Sequence, residues 1–121
     1  MARLLVVDGA NVVGSRPDGW WRDRPGSARR LHDALAAADL EHDEVVLVLE
    51  GAARRGVAPG SSGRLRVLHA PGSGDDAIVA AVAERSGTSE VVVVTADRGL
   101  RARVEQAGAS CRGPRWLLDR L

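Results

Sequence analysis

Leu4-Leu5-Val6-Val7-Asp8-Gly9-Ala10-Asn11 decides how the rest of this chain is read. The first half is apolar without the alternation of a half-exposed strand, so it reads as a strand covered on both faces. The second half turns polar at once, with an acid at the strand end and a glycine that lets the backbone turn tightly. The pattern recurs. Val45 to Leu49 ends in Glu50, Val91 to Val94 runs into Thr95-Ala96-Asp97-Arg98, and Leu65 to Leu68 is followed by Gly74-Asp75-Asp76. Helical patterns lie between these runs. Ala28, Leu31, Leu35 and Ala38 recur at spacings of three and four behind Pro25 and Ser27. Ile78, Val79, Val82 and Ala83 make a second stripe ending at Gly87, and Leu100, Val104 and Ala107 a third ending at Gly108. Ala109 to Arg112 reads as a fifth strand, and Pro114 opens a short helix through Trp116-Leu117-Leu118.

The order β, α, β, loop, β, α, β, α, β, α calls for an α/β fold with a parallel sheet and helices on both faces. Residues 3 to 7 and 91 to 95 are expected in the middle of the sheet, and Leu65 to Leu68, which carries Arg66, at an edge. The longest irregular segments, 12 to 24 and 51 to 63, leave the sheet where the acids collect, and loops so placed usually touch substrate. With 121 residues the whole span 1 to 121 is one domain.

Composition narrows the function classes. No apolar run approaches the roughly 20 residues that span a bilayer, and Met-Ala-Arg leads directly into the first strand without the features of a signal peptide. A cytoplasmic protein with no membrane partner is expected. Cys111, the single cysteine, excludes an internal disulfide and a thiolate zinc site within one chain, and reads as an inert buried thiol. The net charge is +1, yet all 17 basic residues are arginine. Guanidinium groups bind phosphate bidentately and stack on bases, which suits a nucleic-acid partner.

In parallel strands the C-terminal ends are neighbours, and open α/β sheets keep their sites there. Asp8, Glu50, Asp75, Asp76 and Asp97 then gather at one edge. Each alone has a plainer reading: an Asp-Gly turn for Asp8, a helix cap for Asp75 or Asp97, a solvated strand end for Glu50. Adjacent helical positions point about 100° apart, so Asp75 is free to cap while Asp76 reaches inward, or both converge. Together the acids would repel unless a cation joined them. Mg²⁺ or Mn²⁺ with oxygen ligands is the natural counter-ion, and it binds a phosphate oxygen and lowers the pKa of a bound water. Arg16, Arg22 and Arg24 surround Trp20-Trp21 in the first loop, with Arg54 and Arg55 in the second. Arginine interleaved with exposed aromatics suits single-stranded RNA; core packing is the alternative for the tryptophans. His32 and His42 read as solvated, and His69 as a strand-end residue near the site.

Three motifs carry a family resemblance: Val7-Asp8-Gly9-Ala10-Asn11-Val12-Val13-Gly14, Gly74-Asp75-Asp76-Ala77-Ile78 and Val94-Thr95-Ala96-Asp97-Arg98-Gly99-Leu100. In order and spacing they resemble the NYN subgroup of the PIN-like nucleases, especially its compact YacP-like members, over nearly the whole chain. The resemblance implies a three-layer α/β/α, Rossmann-like sheet of five parallel strands in the order 3-2-1-4-5, and a metal-dependent ribonuclease site. It makes Asp8, Asp76 and Asp97 the metal carboxylates, Asp75 a close fourth catalytic acid and Asn11 a positioning residue, with Glu50, Thr95 and Arg98 in support. Larger relatives carry an inserted helical arch or a fused RNA-binding domain, so targeting here rests on the two loops or on a partner such as the ribosome or another protein. The expected activity is hydrolysis of RNA phosphodiesters by a monomer or homodimer. Hydrolysis of nucleoside triphosphates at the same acids, and RNA binding without catalysis, are the alternatives.

Overall fold

The structure, a computed structural model, describes residues 1–121. Its sheet has six strands: β1 (Ala2–Asp8), β2 (Glu44–Leu49), β3 (Gly60–Ser62), β4 (Leu65–His69), β5 (Ser89–Val94) and β6 (Ser110–Arg112). The spatial order is β3-β4-β2-β1-β5-β6. All pairings are parallel except the hairpin of β3 with β4. Without β3 the five parallel strands follow the expected 3-2-1-4-5 order. The extra strand corrects the sequence reading in two respects: the sheet has six strands, and β4 lies inside it. Gly60 and Gly63, at φ 135° and 59°, hold backbone conformations that glycine alone adopts without strain, and they shape this hairpin.

Five helices flank the sheet: α1 (Gly9–Gly14), α2 (Arg24–Ala37), α3 (Gly74–Arg85), α4 (Arg98–Gln106) and α5 (Pro114–Leu118). Pleating sends successive strand residues to opposite faces. Leu5 and Val7 therefore join Val12, Ala28, Leu31, Leu35 and Leu117 in a core under α1, α2 and α5. Leu4 and Val6 join Ile78, Val82, Leu100 and Val104 under α3 and α4. Every one of these side chains is at least nine-tenths buried, which is why the strands read as unbroken apolar runs. The segments expected to be irregular are partly ordered, containing α1 and short 3-10 turns at Trp20–Arg22 and Gly51–Gly56.

Gly9 sets the height of α1 above the sheet. A Cβ there would lie 2.6 Å from the Val48 carbonyl oxygen and 2.9 Å from Leu49 Cδ2. Gly9→Ala should cost about 1–3 kcal/mol through overpacking against backbone that has nowhere to move. A urea midpoint unchanged from wild type would contradict that close approach.

His42 departs from its solvated reading. It is 5% exposed, its ring lies edge-on to Trp116 at 6.3 Å, and its Nδ1 has no hydrogen-bond partner. Burial, then the nearby Arg3 guanidinium, lowers its pKa. It sits before β2, at the end of the sheet away from the acids. Cys111 is buried, and burial pushes its thiol pKa up, so it stays an inert thiol.

Candidate active site

Strand register builds this site. Val7 pairs with Val94, so Asp8 at the end of β1 stands beside Thr95; on the other flank Asp8 pairs with Val48, two residues before Glu50. Asp8 shares the sheet face of Leu4 and Val6, Thr95 that of Val91 and Val93, and Glu50 that of Val46 and Val48, which is the face covered by α3 and α4. Glu50 meets the N-terminal turn of α3 directly, and Asp8 lies near enough for the Asp75 charge to reach it.

Asp8 is 6% exposed and held from two sides. Its Oδ2 accepts from Thr95 Oγ1 at 2.9 Å, and its Oδ1 accepts from the Asn11 N–H at 3.4 Å as the cap of α1. Thr95 is fully buried and its Oγ1 also accepts from the Asp97 N–H at 3.1 Å. Asn11 Oδ1 accepts from the Ala96 N–H at 2.8 Å and so joins the β1–α1 turn to the β5–α4 turn. Asp97 caps α4 through the Leu100 N–H at 3.0 Å and is exposed, as is Arg98 in the next turn. One hydrogen-bonded chain thus fixes Asp8, Asn11, Thr95 and Asp97 relative to each other.

Glu50 is half-buried, and its Oε2 accepts from the Gly74 N–H at 2.7 Å, which brings the start of α3 to the strand ends. Gly74 allows this approach, since a Cβ there would lie 3.2 Å from the Glu50 carboxyl carbon. Ser73 caps α3 by accepting from the Asp75 N–H at 3.2 Å, which leaves Asp75 free of the capping role. Asp76 points to α4 instead, with Oδ1 accepting from Arg103 Nη2 at 3.0 Å and its side chain 74% exposed. No sequence pattern pairs Asp76 with Arg103, 27 positions away.

The electrostatics register this crowding. Burial raises the Asp8 pKa from 3.8 to about 6; the Thr95 and Asn11 hydrogen bonds oppose the rise, and the charges of Asp75 and Glu50 add to it. Asp75 is also raised, first by burial and then by Asp97 and Glu50. The donors are hard oxygens, and their mutual repulsion is what a hard divalent cation offsets. By donor type and charge the residues fit such an ion. In this arrangement no group of three or more acidic, histidine or cysteine side chains is placed to hold one. Mg²⁺ asks less of the protein, since it is usually held by one or two carboxylates with waters and substrate phosphate completing the shell.

The arginine and tryptophan positions divide. Trp21 is 56% exposed with the Arg22 guanidinium 5.7 Å from its ring centroid, while Trp20 is half-buried with Arg24 at 5.3 Å. Arg54 braces its own loop, donating to the Gly51 and Ala70 carbonyls at 3.2 and 3.3 Å. Arg55 is exposed beside it in an open groove that His69 also lines. The His69 ring is engaged with the Val57 carbonyl at 2.7 Å. Arg16 borders a small recess with Asp18 and Arg30 past the end of α1.

No model of a protein family matches the sequence, and no curated protein does. Solved structures match by shape. Rae1 (YacP) from Bacillus subtilis superposes with a TM-score of 0.69 at 18% identity, over 96% of this chain and 71% of that one. A single-substitution variant of Rae1 gives 0.65 at 17% identity, over 97% of this chain and 73% of that one. By fold, the chain stands with Rae1 (YacP), a YacP-like NYN domain, which is the PIN-like architecture that its three motifs resemble.

Proposed function

We propose that the protein is a metal-dependent ribonuclease that hydrolyses RNA phosphodiester bonds at the carboxylate edge of its sheet. The observation that carries this reading is Asp8: a buried carboxylate pinned by Thr95 and Asn11, raised to about 6, facing the charges of Asp75 and Glu50 and paired with no basic side chain. Retaining repelling acids at the end of a central strand costs stability, and such cost is characteristic of functional sites. The YacP-like fold supports the same reading, because the motif resemblance implies RNA hydrolysis at these residues.

In this proposal Asp8 and Asp97, with Asp75 or Asp76, hold Mg²⁺ or Mn²⁺, which when bound supplies Lewis-acid stabilisation of the phosphate and a more acidic water. The chain's own contribution is positional. Thr95 and Asn11 fix the Asp8 rotamer, and Asp97 is set by its cap on Leu100. Asp76 is tied to Arg103 only by an exposed ion pair, a bond worth about 0–1 kcal/mol, so it is cheaply released. Glu50 holds the α3 turn through Gly74 and orients Asp75. Arg98, exposed next to Asp97, contacts the phosphate in this reading. No helix is long and apolar enough to cross a membrane, and we place the activity in the cytoplasm, with the ribosome or a targeting protein as the source of substrate choice.

Nucleoside triphosphate hydrolysis remains the second reading, because a cleft of about 340 Å³ opens beside Gly9 and Glu50. Labelled single-stranded RNA, structured RNA and free nucleotides, each incubated with Mn²⁺ or with chelator, separate the readings. Mn²⁺-dependent RNA cleavage supports the nuclease. Nucleotide hydrolysis without RNA cleavage transfers the site to the second reading, and metal-independent RNA binding alone makes the protein a binding module.

A further inference from the structure

The cleft beside Gly9 lies under α1 and α2, across the sheet edge from Asp75. Val13, Ala28 and Leu49 give it an apolar floor, and Trp20 with Arg24 forms one wall. Its volume of about 340 Å³ is at the small end of the roughly 300–1,000 Å³ typical of small-molecule sites. That holds one base with its sugar, and excludes a helix or a duplex.

The wall is built for a flat aromatic ring. The Arg24 guanidinium lies 5.3 Å from the Trp20 centroid, and Gly14 packs against the indole, where a Cβ would sit 3.7 Å from Cζ2. Among the arginines the ion pairs engage Arg3, Arg29, Arg85 and Arg103, so the charge of Arg24 is not spent on a carboxylate. With the exposed guanidinium lying over the indole, the pair offers the face of a base the outer plane of Arg24 through stacking and cation–π terms, with little preference among bases. An aliphatic side chain would gain nothing from the guanidinium.

Position ties the cleft to the acids. Gly9 and Ala10 in its lining belong to the helix that Asp8 caps, and Glu50 lines it while holding the α3 turn. Just outside, Trp21 stands perpendicular to Trp20 at 6.2 Å with Arg22 over it, a second platform turned away from the first. Bases on the two platforms would be splayed rather than stacked on one another.

We infer that the cleft binds one unpaired base of the RNA substrate next to the phosphate that is cut, with Trp20 and Arg24 as its stacking pair, so that cleavage is confined to single-stranded positions. This rests on the nuclease reading above and adds the element that chooses the strand. A paired base is stacked within its helix and cannot enter.

The test uses the Asp8→Asn protein carrying Trp21→Phe and Trp116→Phe, in which Trp20 is the one remaining indole. A short single-stranded oligoribonucleotide should quench its fluorescence saturably, and the same oligonucleotide in a blunt duplex should not. In the otherwise unaltered chain, Trp20→Ala should lower kcat/KM on single-stranded RNA roughly 5- to 150-fold, the range for one lost base stack. Arg24→Gln, an exposed change that leaves the fold intact, should lower it about 2- to 5-fold. If RNA is cleaved and both substitutions leave rates and cut positions unchanged, the base site is overturned while the nuclease stands. Single-strand-specific quenching without any cleavage keeps the base site and removes the nuclease. Quenching by free nucleotides but not by RNA overturns the inference.

Discussion

Asp8→Asn is expected to raise the stability of the metal-free protein at pH 7.5 by about 2 kcal/mol while abolishing catalysis. The Asp8 pKa is about 6 in the folded protein against 3.8 for an ordinary aspartate. That difference corresponds to about 3 kcal/mol of unfavourable ionisation at neutral pH. Asparagine keeps an acceptor for Thr95 and carries no charge, but its amide N–H₂ faces the Asn11 N–H, which returns about 1 kcal/mol of the gain. The pH dependence has a definite sign. Below about pH 3 the carboxyl is protonated in both folded and unfolded chains and contributes nothing. From about pH 3 to 6 the unfolded chain releases its proton first, so wild-type stability falls as pH rises, and above the folded value the loss is complete. The advantage of asparagine should therefore be absent at about pH 3 and full above about pH 7, as read from urea midpoints in chelator. A variant less stable than wild type at pH 7.5 would show that Asp8 serves the fold rather than the site.

Mn²⁺ should act on the wild-type chain as the Asp8 substitution does, by removing the repulsion. At a free concentration 100 times its Kd, a ligand bound only by the folded state contributes about 2.7 kcal/mol, a Tm rise on the order of 10 °C for a domain of this size. Asp8→Asn should lose most of that response. The rise should also shrink as pH falls through about 6, because a protonated carboxyl is no ligand. An equal rise in wild type and variant would place the cation elsewhere on the surface.

Most of the fold was legible because β1, β2 and β5 are buried on both faces, so burial alone dictates their Val and Leu runs. The hairpin strand β3 was not legible. Gly60, Ser61 and Ser62 are exposed and have low strand propensity, and their pairing depends on glycine conformations at Gly60 and Gly63 rather than on side chains. Likewise α1 has only six residues, below the length that a helical pattern needs to show itself, and depends on its Asp8 cap and on the close approach of Gly9.

The gathering of acids at one sheet edge was legible. Parallel strand ends converge by topology, and the acids came with them. Which member of Asp75-Asp76 faces Asp8 was not, since adjacent helical positions diverge by about 100° and the choice is set by Ser73 and Arg103, distant in role or in sequence. His42 was misread as solvated because it falls at the exit of a helix, whereas its burial comes from Trp116 on α5, more than seventy residues on.

The most direct measurement is the single-turnover rate of cleavage of a labelled single-stranded RNA in Mn²⁺ at pH 7.5, for the wild-type chain and for Asp8→Asn. Several kcal/mol of transition-state stabilisation should be lost with the carboxylate, so the rate should fall at least about 100-fold, with wild type in chelator falling as far. Cleavage by Asp8→Asn at the wild-type rate, or cleavage indifferent to chelator, would contradict a metal-dependent nuclease at the acid edge of this sheet.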